Sequence, residues 1–303
     1  VASALAALII LLVITINYTT YAKVLKWLAI TLLAYPAAAI LIGQDWGKLF
    51  SQTFLTIPHF NVSTIYIIVG LLGTTISPYL FFWDTSEVVE DEISEHRLRD
   101  ESIKSPRISK RFIRNIRIDN FIGMALATIT GWFVVVVCAS VLFKNGITQI
   151  NTAADAARAL EPLVSGIPHA GLIAKLIFSV GIIGIGMLAI PVLAGSSSYA
   201  VAETLGWKEG LHRKFGQAIG FYCVIALATL VGLAINFIGI DPIKALIFTA
   251  VFNGIASVPL LLIISKVGKN QDIMGDYKSG MLSRTLVKLA FFVNFAAVFV
   301  LFA

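Results

Sequence analysis

The chain has 303 residues, of which 58% are hydrophobic and only 13% charged, and its mean hydropathy is +0.88. Soluble domains carry about a quarter charged residues, so this composition excludes a soluble globular protein and selects a polytopic membrane protein. The net charge of +6 does not call for a nucleic-acid partner, because Lys and Arg flanking apolar segments set topology beside anionic lipid.

Eight hydrophobic stretches follow in chain order, at about 1–17, 22–43, 62–83, 119–143, 169–194, 216–238, 241–266 and 285–303. Most reach the ~20 residues a helix needs to cross a bilayer. The chain starts at Val1 inside an apolar run and stops at Ala303 in another, so it reads as one transmembrane domain over 1–303, truncated at its N-terminus. Pro36 is expected to kink the second stretch. Residues 44–61 connect outward and carry Gln44-Asp-Trp-Gly47. Loop 94–118 is highly charged, and 152–160 reads as a short surface helix. The fifth stretch is glycine-rich at Gly181, Gly184 and Gly186, which favours close helix approach in lipid, and is expected to end at Pro191 and Gly195. The seventh has an interruption at Asn253-Gly254, followed by Pro259.

Basic residues concentrate in alternate loops, at Lys23 and Lys26, across 97–117, at Lys208, Arg213 and Lys214, and from Lys266 to Lys288. The positive-inside rule then makes loops 18–26, 84–118, 203–215 and 266–288 cytoplasmic, with the protein in the cell membrane. Cys138 and Cys223 fall within spans and read as small buried residues, not as a disulfide or metal pair.

The third stretch is the most informative. Gly73-Thr-Thr-Ile-Ser-Pro-Tyr79 breaks an apolar span at its middle. Lipid offers backbone groups no partner, so irregular backbone at that depth belongs where it lines a cavity or meets a ligand. The carbonyls of Gly73, Thr74 and Thr75 and the hydroxyls of Thr74, Thr75 and Ser77 can offer oxygen to a cation, with Pro78 opening a second half-helix. A plain kink lined by Ser and Thr back-bonds is the equally weighted alternative.

Just beyond the break, Asp84, Glu87 and Asp91 share one helix face, whereas Glu90 and Glu92 lie off it. Ionisable groups at a membrane mark functional sites by default. Asp84 is the deepest, about 9 Å beyond Pro78 at the helical rise. Glu87, Glu90, Asp91 and Glu92 also fit a solvated helix end. Asn253 offers an amide oxygen or, equally, an interhelical hydrogen bond. Asp119 and Asn120 read as a helix start, as does Asp241 before Pro242. His59, His96, His169 and His212 fall in loops or at span ends. No phosphate-binding loop, zinc-protease motif or nucleophile elbow is present, so the sequence gives no support to an enzyme, and no cofactor is expected.

These residues resemble the natural-resistance-associated macrophage protein (NRAMP) family of divalent metal transporters. Gln44-Asp-Trp-Gly47 is similar to that family's Asp-Trp-Gly connection, Gly73 to Pro78 to its helix break, and Ile273-Met-Gly275 to its Leu-Met-Gly. Ile76 to Trp83 and Leu188 to Gly210 resemble a divergent bacterial branch. The resemblance implies an all-α, LeuT-like inverted-repeat fold, of which the eight stretches correspond to the fourth to eleventh spans. It implies a secondary transporter of Mn²⁺ or Fe²⁺ working by alternating access, with protons as coupling ion and the bilayer as surroundings. Gly73, Thr74, Thr75 and Ser77 are then the metal half-site. Tyr79, Asp84, Glu87 and Asn253 lie on the metal pathway, and Gly73 and Pro78 bound the break. Ser77 stands where the family has a metal-binding methionine, and Tyr79 where it has a histidine. Hydroxyl and carbonyl oxygens suit hard cations better than a thioether does, which brings Mg²⁺ beside Mn²⁺ and Fe²⁺. An amino-acid-type carrier on the same fold, or an inactive fragment, are the competing readings.

Overall fold

The structure, a computed structural model, describes residues 2–15, 18–56, 60–94, 110–147, 150, 152, 170–235 and 237–303. Among these residues all regular structure is helical. The surface helix expected at 152–160, most of loop 94–118, and His59, His96 and His169 lie outside the described residues.

The helices are α1 (Ala2–Thr15), α2 (Tyr18–Ala29), α3 (Ala34–Leu41), α4 (Trp46–Leu55), α5 (Val62–Ile76), α6 (Pro78–Ser94), α7 (Lys110–Val137), α8 (Ala170–Leu205), α9 (Ile219–Ile235), α10 (Pro242–Val267), α11 (Gln271–Met274) and α12 (Met281–Phe302). Among the described residues, six helical segments are long and apolar enough to cross a membrane: Thr20–Leu41, Val62–Ile93, Lys110–Leu142, Lys175–Leu205, Pro242–Val267 and Met281–Phe302. The other two apolar stretches form the shorter helices Ala6–Thr15 and Ile219–Ile235.

Prolines act differently at each site. Pro36 removes the amide that would bond the Leu32 carbonyl, and the chain tightens into a 3₁₀ turn over Ile30–Leu33 just before it. Pro191 and Pro259 leave α8 and α10 continuous. The expected end at Pro191 and interruption at Asn253-Gly254 are therefore corrected to unbroken helices, since Ser and Thr side chains and neighbouring helices re-satisfy freed backbone groups in membrane helices. Pro242 is the first residue of α10, as its fixed φ favours, with Asp241 immediately before it. Asp45 Oδ1 accepts the Lys48 N–H at 3.1 Å and caps α4. Asp119 and Asn120, expected at a helix start, instead lie inside α7, which begins at Lys110.

The helices group into two compact units, Val1–Phe54 with Phe82–Asp241, and Leu55–Phe81 with Pro242–Ala303; the boundary falls within α6. In the first unit, α8 packs on α2, α3 and α9, and α3 also packs on α7. Gly181 faces the Tyr35 ring and Gly184 faces Thr31, where a methyl group would clash. One core gathers Ile9, Tyr21, Trp83, Tyr199, Phe221 and Ile225; a second gathers Tyr35, Val137, Leu142 and Phe178. Cys138 is half-buried, but Cys223 is exposed, contrary to the buried role expected of it. In the second unit, α5, α10 and α12 pack mutually.

Candidate functional site

The break narrows to one residue. Helix α5 ends at Ile76 and α6 starts at Pro78, so Ser77 alone interrupts the backbone. Its φ of 37° and ψ of 83° are left-handed, and it is the only non-glycine with positive φ among the described residues. An L-residue here carries roughly 1–2 kcal/mol of strain, and the surrounding hydrogen bonds hold it. The Ser77 N–H donates to the Gly73 carbonyl and the Leu80 N–H to the Ser77 carbonyl, both at 2.9 Å. Pro78 has no N–H to offer Thr74, and the Ser77 hydroxyl donates to the Thr74 carbonyl instead. Ser77 is fully buried.

Thr74 and Thr75 differ from Ser77. Both are exposed, and both hydroxyls donate to the Leu71 carbonyl, at 2.9 and 2.8 Å. Their oxygens keep lone pairs for a further partner. Gly73 is buried for a packing reason: a Cβ there would overlap the Ala250 carbonyl and the Gly254 backbone. Gly254 in turn faces the Val69 carbonyl. This glycine-to-glycine crossing brings α10 against α5 at the break and places half-buried Asn253 one residue from it. Nearby in the same unit, the buried Ser257 hydroxyl donates to the Gly254 carbonyl at 2.7 Å and lies 3.2 Å from Asn294 Oδ1.

Along α6 the acids separate. Tyr79, Asp84 and Glu87 are half-buried and Asp91 is exposed. Asp84 Oδ2 accepts from Asn120 Nδ2 at 3.1 Å. Glu87 is hydrogen-bonded to the Trp83 side chain, one turn earlier. The two acids off the shared face are the buried ones: Glu90 is 2% exposed and Glu92 7%. A solvated helix end therefore describes neither. Glu90 accepts hydrogen bonds from Tyr199, Leu211 and His212. Sequence reasoning placed His212 only in a loop. Its partner is 122 positions away, and no local pattern signals such a pairing. Among the described residues, no group of three or more His, Cys, Asp or Glu is arranged to hold a metal ion.

Apolar helices of spanning length, one of them broken at a buried left-handed serine, define a polytopic membrane protein. The chain matches the natural resistance-associated macrophage protein-like family over residues 1–303, and it belongs to that family. It is similar to a protein of Caldanaerobacter subterraneus subsp. tengcongensis named divalent metal cation transporter MntH, 30% identical over 272 residues, covering 88% of this chain and 57% of the relative. A protein of the same name from Clostridium acetobutylicum is 27% identical over 245 residues, covering 80% of this chain and 50% of the relative. The chain thus spans about half the length of the curated relatives it matches.

Proposed function

We propose that this chain forms part of a secondary transporter that carries divalent metal cations across the cell membrane by alternating access. The Ser77 break carries the reading. Ser77 interrupts an apolar helix, and its hydroxyl and those of Thr74 and Thr75 lie within one turn of the break, bonded to the Thr74 and Leu71 carbonyls. The C-terminal end of α5 carries the negative pole of its dipole to this point, which favours a cation. The first turn of α6 is poorly equipped for a carboxylate. Pro78 has no amide proton and the Leu80 N–H is donated to Ser77, so a cation fits better than an amino acid. The relatives named divalent metal cation transporters support the same class.

Ser77, with the carbonyls of Gly73, Thr74 and Thr75, supplies the metal half-site in this reading. Asp84, about a turn and a half along α6, takes the ion onward; Tyr79 and Glu87 lie on the same helix, and Asn253 stands next to Gly254 at the α5–α10 crossing. An oxygen-only donor set selects weakly against hard cations, so Mg²⁺ is carried beside Mn²⁺ and Fe²⁺. The basic loops argue for Asp84 on the cytoplasmic side of the break, and the proton gradient in the test below asks whether protons are the coupling ion.

The test is uptake of radiolabelled Mn²⁺ into proteoliposomes bearing the full-length protein, with and without an inward proton gradient, and with excess Mg²⁺ or amino acids as competitors. Uptake that Mg²⁺ suppresses and amino acids do not is the expected result. Amino-acid transport without metal uptake would overturn the reading.

A further inference from the structure

We propose that Glu90 is a positioning residue: its carboxylate latches the α8–α9 connection onto α6, and release of this latch limits the rate of transport. The second clause rests on the transport reading above; the latch itself does not. Four donors converge on this one side chain. Oε1 accepts the Tyr199 hydroxyl at 2.6 Å and the Leu211 N–H at 2.5 Å. Oε2 accepts the His212 N–H at 3.0 Å and His212 Nδ1 at 2.7 Å.

The connection is shaped for this contact. Gly210 has φ of +118°, a region open in practice only to glycine. That turn aims the successive amides of Leu211 and His212 at one carboxylate, a small backbone nest for an anion. A Cβ at Gly210 would stand 2.9 Å from Glu90 Oε1 and 2.5 Å from the His212 ring. Tyr199 is held in turn, edge-on to Phe221 at 4.8 Å and to Trp83 at 6.2 Å. Trp83 lies on α6 two turns before Glu90, so both ends of the latch are tied to the same helix.

With its oxygens facing four protein donors, Glu90 is ill placed to ligate a passing ion. Its effect on transport is therefore on the position of α6, the helix that follows the break. A buried carboxylate, the buried Leu211 amide and the half-buried His212 amide must be rehydrated together when the latch opens, which makes opening costly and slow. A cavity of about 230 Å³ beside it, lined by Thr85, Glu90, Glu203, Glu209 and His212 among others, gives water a route to these groups.

The test uses the full-length protein with its cysteines replaced and Leu211→Cys introduced. Leu211 is 6% exposed, so labelling of this thiol by a water-soluble maleimide, in detergent, reports opening of the connection. Glu90→Ala should raise the labelling rate about tenfold, the weight of one such hydrogen bond to a charged group, and Glu90→Gln should fall between. In proteoliposomes, Glu90→Ala should raise the maximal Mn²⁺ uptake rate severalfold while KM stays within about twofold, as uniform loss of ligand binding would not; a lowered maximal rate overturns the rate-limiting claim. Unchanged labelling overturns the latch. Raised KM at an unchanged maximal rate overturns the positioning role and makes Glu90 a ligand. Raised labelling with unchanged uptake overturns the rate-limiting claim. If the unsubstituted protein carries no metal, that claim falls with the transport reading while labelling still decides the latch. Should Glu90→Ala not fold, Tyr199→Phe removes one donor, keeps the ring packing, and should shift labelling the same way by less.

Discussion

Gly73→Ala tests whether the α5–α10 crossing holds the break. A Cβ at Gly73 would overlap the Ala250 carbonyl oxygen and meet the Gly254 backbone, with Gly254 Cα at 2.7 Å. These are backbone atoms of a continuous helix, so no rotamer change relieves the contact. Adding a methyl group to a packed site costs about 1–3 kcal/mol, and a backbone obstacle puts Gly73→Ala at the upper end. Against this, alanine is favoured over glycine in a helix interior by about 1 kcal/mol. The expected net destabilisation is about 2 kcal/mol. Gly186→Ala is the matched control, because a Cβ there meets nothing within 4 Å; it should be neutral or stabilising by up to ~1 kcal/mol. Equilibrium unfolding of the full-length protein by SDS in mixed micelles, followed by tryptophan fluorescence, measures both. Equal midpoints for the two variants would refute the close crossing and its role in holding Ser77.

Ser77→Gly should leave stability within about 1 kcal/mol of the parent, because relief of left-handed strain offsets loss of the hydroxyl bond to Thr74. Ser77→Val, β-branched, should lose ~2 kcal/mol or more in the same unfolding assay; equal stability would count against the left-handed geometry. Asp84→Asn keeps the shape of the side chain but removes its charge, and Mn²⁺ uptake should fall severalfold with folding unchanged. Wild-type uptake would remove Asp84 from the path. Asn294→Leu should cost about 1 kcal/mol, since Ser257 keeps its bond to the Gly254 carbonyl; a stabilised variant would show that the buried Ser257–Asn294 contact is not worth its desolvation.

The helical class and the place of the break were legible because both rest on local pattern. Apolar runs of spanning length announce helices, and Gly-Thr-Thr-Ile-Ser-Pro announces trouble for a helical ladder. The form of the break was less legible. Gly73 reads as a ligand candidate in the sequence, yet it is pressed against Gly254 on α10, a neighbour that composition cannot reveal. Pro191, Gly195 and Asn253-Gly254 look like helix ends by soluble-protein rules. In a bilayer the alternative to a helical bond is an unmet polar group, so the helices run through. The Glu90 latch was hidden most fully. Helical spacing drew attention to the face shared by Asp84, Glu87 and Asp91, whereas burial fell on the residue off that face, matched to donors 109 to 122 positions away.

The central claim is that Ser77 marks the metal half-site, and cation selectivity in Ser77→Met tests it most directly. Radiolabelled Mn²⁺ uptake by the full-length protein, measured against graded Mg²⁺ and Cd²⁺, should show strong Mg²⁺ competition in the parent. In Ser77→Met, a thioether replacing the hydroxyl should weaken Mg²⁺ competition and strengthen that of Cd²⁺. Identical competition profiles for the two proteins would contradict the claim.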